Sequence, residues 1–68
     1  MTPEDVKRLR KSLALTQTDL ARYLGLGHKS QVRHLESGRT PVRGPVLQLL
    51  RLLADTDGKI LQQVRPGG

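Results

Sequence analysis

Apolar residues recur along the chain at helical spacing and nowhere alternate over a strand-length run, so helices are predicted throughout. Thr2-Pro3-Glu4-Asp5 is a helix start. It combines a hydroxyl cap, a proline where a missing N–H costs nothing, and two carboxylates at the positive end of the dipole. This first helix is predicted to run to about Leu13, with Val6, Leu9 and Leu13 on its apolar face and Lys7, Arg8 and Lys11 in water. Thr16 caps a second helix from Gln17, with Asp19 standing where a full capping box has Glu or Gln. Its stripe is Leu20, Ala21 and Leu24; Gly25 suits the left-handed position beyond its end, and Leu26 folds back as the accompanying apolar contact. At about eight residues this helix cannot stand alone and must be held by its neighbours.

The turn Gly27-His28-Lys29-Ser30 leads to a third helix on which Val32 and Leu35 are the only clear apolar positions, and Gly38 ends it. After a loop from Arg39 to Gly44, Pro45 opens a fourth helix to about Ala54 that is apolar on more than one side. A fifth short helix is predicted from a cap at Asp55 or Asp57, carrying Ile60, Leu61 and Val64. Residues 1–65 are expected to form one all-α, five-helix domain and residues 66–68 a disordered tail.

Composition narrows the functions open to such a domain. The 68 residues carry 12 Lys and Arg against 6 Asp and Glu, a net charge of +6. A chain of this size buries only about 60% of the surface its unfolded form exposes, so oligomerisation is the expected extra source of stability. With no cysteine there is no disulfide framework or zinc knuckle, and His28 and His34 lack companions for a metal site. No metal and no cofactor is expected. Ser30 with a nearby histidine has no third orienting group and no oxyanion nest, so catalysis is set aside. The one aromatic residue, Tyr23, is read as a surface residue with a wet hydroxyl, and stacking platforms for unpaired bases are absent. No apolar run approaches the ~20 residues that span a bilayer. The expected location is the cytoplasm, on the nucleoid when bound to DNA. Duplex nucleic acid is the first partner to consider; an anionic membrane surface, the second, is disfavoured by the polar, non-amphipathic third helix.

Two short helices joined by a tight glycine-containing turn, the second polar and basic, make a helix-turn-helix in which the first braces and the second faces a groove. Leu15-Thr16-Gln17-Thr18-Asp19-Leu20-Ala21, followed by Leu24-Gly25, resembles the L-T-Q-x-x-L-A-x-x-L-G signature of the Cro/C1-type (XRE) helix-turn-helix family. Val32, Leu35-Glu36-Ser37-Gly38-Arg39 and Pro41 resemble its continuation. The similarity covers Val6 to about Ala54. It departs between Gly25 and Val32, where this chain has six residues and the commonest family pattern five. The segment from Gly44 through Leu53 to Leu61 is similar to small phage-type and antitoxin-type autoregulators.

The resemblance implies a compact lambda-repressor-like domain that binds double-stranded DNA in a sequence-specific way and regulates transcription. It assigns base reading to Lys29, Ser30, Gln31, Arg33 and His34. Phosphate contacts fall to Gln17, assisted by Thr16 and Thr18, to His28 on the turn, and to Arg39, Thr40 and Arg43 in the loop after the third helix. It also makes Arg10 and Glu36 a structural ion pair. Charge placement agrees with this, since Glu36 is the only acid between Gly25 and Asp55. The fourth helix carries more leucine than so small a core can hide, so Leu49, Leu52, Leu53, Ile60, Leu61 and Val64 are expected to join a second copy. The competing expectation is that these residues close the monomer's own core. The functional expectation is a homodimeric autorepressor reading an inverted repeat. The alternative is an antitoxin-type module that covers a toxin and binds its own operator, although no tail is left to wrap one.

Overall fold

Both threonine caps close as reciprocal capping boxes. Thr2 Oγ1 accepts from the Asp5 N–H at 3.1 Å while Asp5 Oδ2 accepts from the Thr2 N–H at 3.0 Å. Thr16 and Asp19 repeat the exchange at 3.0 and 3.1 Å. Aspartate is short enough to serve where glutamate is commoner, and the Thr2 bonds, backbone N–H first, hold the Asp5 carboxyl below its ordinary pKa. Among the described residues the helices they start belong to a set of four: α1 (Pro3–Ser12), α2 (Gln17–Leu24), α3 (Lys29–Ser37) and α4 (Gly44–Asp55). This computed structural model describes residues 1–61, among which there is no strand. No helix there is long and apolar enough to cross a membrane.

Each helix ends by turning the chain left-handed. Gly25 (φ 74°) lets the Leu26 N–H reach the Ala21 carbonyl at 2.9 Å, and Leu26 packs against the core. Gly38 (φ 84°) does the same for α3, sending the Thr40 N–H to the His34 carbonyl at 3.1 Å. At the end of α1 this position is taken by Ala14 (φ 55°), a residue that bears the left-handed strain glycine would avoid.

The expected fifth helix is not among these elements. Asp55, one of its proposed caps, is the last residue of α4, and residues 56–60 form turns. Asp57 (φ 52°) and Gly58 (φ 84°) are both left-handed, and the Gly58 N–H bonds the Leu53 carbonyl at 2.9 Å. Thr56 Oγ1 donates to the Leu52 carbonyl at 2.8 Å and accepts from the Ile60 N–H at 3.3 Å, which holds the returning chain. Gly58 passes so close to α1 that a Cβ there would stand 3.1 Å from Leu13 Cδ2. Val64 and the 66–68 tail lie outside the described residues.

The core consists of Val6 from α1, Leu20, Ala21 and Leu24 from α2, Val32 and Leu35 from α3, and Leu50 and Leu53 from α4. Leu53 is fully buried (0% exposed), so it closes the monomer and is withdrawn from the expected interface with a second copy. Leu49, Ile60 and Leu61 are half-buried against this core, while Leu52 is 41% exposed. Because α4 is apolar on several sides, its periodicity could not select the face that packs inward.

Tyr23 is also placed differently from its expectation. Its hydroxyl is not left to water but donates to the Leu49 carbonyl at 2.6 Å, tying α2 to α4, and burial raises its pKa. As the only tyrosine in a chain without tryptophan, it can be titrated alone by its absorbance. The folded protein should ionise above the ordinary value of about 10. A raised folded pKa means stability is fully present below the unfolded value and declines as pH rises through the folded one. Tyr23→Phe should cost about 1 kcal/mol in urea unfolding and remove that alkaline decline; an ordinary phenol titration would contradict the buried bond.

Candidate nucleic-acid interface

The turn between α2 and α3 is closed by an uncommon cap. His28, extended at φ −154°, accepts the Ser30 N–H on its Nδ1 at 3.1 Å. A neutral ring that accepts on Nδ1 carries its proton on Nε2, so this side chain has one N–H left to donate. Ser and Asn are the ordinary caps, which is why sequence reasoning gave His28 a phosphate role and missed its capping role.

Beyond this cap, α3 rests on Val32 and Leu35 and on one largely buried ion pair. Arg10 Nε donates to Glu36 Oε2 at 2.6 Å and Nη2 to Oε1 at 3.4 Å, with the two side chains only 13% and 6% exposed. Arg10 Nη1 reaches the Leu15 carbonyl at 3.0 Å, and Gln17 Nε2 donates to Glu36 Oε1 at 3.2 Å. One carboxylate thus gathers α1, the first residue of α2 and α3. Among the described residues no buried side-chain nitrogen or oxygen lacks a partner. Gln17, assigned to phosphate by sequence, has one amide proton committed to Glu36 and a second remaining. Thr16 likewise uses its hydroxyl oxygen as a cap.

With Val32 and Leu35 turned inward, 3.6 residues per turn places Ser30, Arg33, His34 and Ser37 together on the opposite face at i, i+3, i+4 and i+7. These four side chains, with Gly38 and Arg39, line one open hollow. Of the five expected base readers the stripe collects Ser30, Arg33 and His34; Lys29 and Gln31 are exposed on its flanks. Ser37 was not assigned, although its place seven residues after Ser30 was the available signal. Its hydroxyl donates to the His34 carbonyl at 3.2 Å. Thr18, Thr40 and Arg43 are exposed; Arg43 sits at the start of α4 without a side-chain capping bond.

The electrostatics of this edge are one-sided. Lys29, Arg33, Arg39 and Arg43 are all exposed, and Glu36, the one acid in that stretch of chain, is bound to Arg10. Such an edge sets up a positive potential suited to a polyanion. Among the described residues no group of three or more His, Cys, Asp or Glu is placed to hold a metal ion.

A polar, cationic helix presented by a capped partner helix across a glycine turn defines a helix-turn-helix domain. The chain belongs to the helix-turn-helix family of the Cro/C1 (XRE) type, a family of DNA-binding transcription regulators, whose model matches residues 6–55. No curated protein and no solved structure is significantly similar to it.

Removing the arginine from the ion pair should expose how much α3 depends on it. Arg10→Ala leaves a nearly buried carboxylate with Gln17 alone, and urea denaturation should show a loss of about 3 kcal/mol. A loss under about 1 kcal/mol would mean that the pair is peripheral.

Proposed function

We propose that this protein is a homodimeric, sequence-specific regulator that represses its own operon by reading a short inverted repeat through α3. The observation that carries this reading is the stripe Ser30, Arg33, His34 and Ser37, which lines one hollow beside exposed cations while Glu36, the one acid in that stretch of chain, is bound to Arg10. Laid in a major groove, Arg33 and Lys29 reach guanine O6 and N7, and Gln31 reaches an adenine edge; Ser30 and His34 contact neighbouring bases. The spare Gln17 amide proton, the His28 Nε2–H, Thr16, Thr18, Arg39, Thr40 and Arg43 contact phosphates, which set position rather than sequence.

The dimer in this reading forms through the exposed Leu52 and the half-buried Leu49, Ile60 and Leu61, without Leu53. A two-fold axis there spaces two α3 helices about one DNA turn, roughly 34 Å, apart.

Duplexes selected from a random pool and titrated by gel shift test the reading. Arg33→Ala should cost about 1–3 kcal/mol and relax base preference, whereas Arg43→Ala should weaken all sequences alike. Affinity should fall by about 10³ to 10⁵ between about 50 and 200 mM salt if the dimer makes 6 to 10 phosphate contacts. Variants that bind as tightly and selectively as the wild type would overturn the role of α3, and an asymmetric consensus would remove the dimer.

A further inference from the structure

The cap on α3 also constrains the side chain it touches. The Ser30 N–H donates to His28 Nδ1 at 3.1 Å, and the Ser30 hydroxyl oxygen lies 3.0 Å from the same nitrogen. A neutral imidazole has one protonated and one bare nitrogen. A backbone N–H can only donate, so Nδ1 is the bare nitrogen and has no hydrogen to give Ser30 Oγ. The contact at 3.0 Å therefore runs from the hydroxyl to the ring, which shares the one lone pair of Nδ1 between the Ser30 N–H and O–H. The hydroxyl proton is turned toward His28, and the oxygen keeps its lone pairs for whatever enters the hollow that Ser30 lines with Arg33 and His34.

An unrestrained serine serves either kind of base, because its hydroxyl rotates to donate or accept. While its proton is shared with His28, Ser30 presents only lone pairs outward. Its charged neighbours offer the complementary chemistry, since Arg33 and Lys29 donate only. We infer that His28 is a specificity-determining positioning residue: by fixing the Ser30 hydroxyl as an acceptor, it directs that position of α3 to adenine N6 or cytosine N4 and against guanine and thymine. The inference rests on the DNA-reading role proposed above and adds to it which base chemistry Ser30 takes. At that position guanine and thymine present only acceptors to the major groove, so lone pairs would face lone pairs.

Selection from a random duplex pool at pH 8 with wild type, Ser30→Ala, His28→Asn and His28→Gly tests it. Asparagine and glycine are both accepted at a helix N-cap, but only asparagine offers an oxygen that takes the hydroxyl proton. Wild type and His28→Asn should favour adenine or cytosine at one position of the half-site by roughly threefold to tenfold, the worth of one neutral hydrogen bond. Ser30→Ala should lose the preference there alone. His28→Gly should lose it too, with any loss of phosphate contact lowering affinity evenly over all sequences. Nitrogen-detected NMR of the free protein should find the His28 proton on Nε2. A proton on Nδ1, guanine or thymine at the position that Ser30→Ala relaxes, or an unchanged preference in His28→Gly would overturn the inference while leaving DNA reading intact. A wild type that selects no consensus overturns both.

Discussion

The ion pair between Arg10 and Glu36 decides how α3 sits, and everything offered to a partner follows from that. Val32 and Leu35 are a narrow anchor for a nine-residue helix, which could turn about its axis if they alone held it. Glu36 lies on the flank of this anchor and is almost wholly buried, so its charge must be matched where it lies. Arg10 meets it through two nitrogens and Gln17 through a third bond, and the remaining Arg10 nitrogen is held by the Leu15 carbonyl. With that flank drawn to α1 and α2, the stripe from Ser30 to Ser37 is left facing out.

The remaining contacts complete a small fold around this arrangement. Tyr23 ties α2 to α4 through the Leu49 carbonyl, and Gly58 brings the chain after α4 against Leu13. Leu50 and Leu53 fill the space between α4 and the other helices, and Leu52 remains outside. The net charge of +6 is thus unevenly presented. Asp5 serves a cap and a weak pair with Arg8, Glu36 is largely buried, and the exposed cations Lys29, Arg33 and Arg39 lie on α3 and just after it, with Arg43 at the start of α4.

Features governed by neighbours in sequence were legible in the sequence. The Thr2 and Thr16 caps, the left-handed Gly25, the helix end at Gly38, and the apolar stripes of α1 to α3 depend on residues within about one turn of one another. Arg10 and Glu36 are 26 residues apart, and it was the family resemblance, not spacing, that paired them. The Tyr23 bond to Leu49 spans the same separation and has no counterpart in that motif, so it was read as wet. In α4, leucines at successive positions left Leu52 and Leu53 indistinguishable until packing chose between them. His28 went unrecognised as a cap because imidazole is rarely used there, and among the described residues turns occupy 56–60, where the fifth helix was expected to start, because Asp57 and Gly58 both turn left-handed.

The central claim is that the face of α3 opposite Val32 and Leu35, held outward by the Arg10–Glu36 pair, meets the DNA duplex. Backbone amide NMR of labelled protein titrated with a selected duplex tests it most directly. The account predicts shifts concentrated at the start of α2 and from His28 to Arg43, strongest around Ser30, Arg33, His34 and Ser37, with the outer face of α1 at Lys7, Arg8 and Lys11 little changed. Shifts centred on that outer face of α1, with α3 undisturbed, would contradict it.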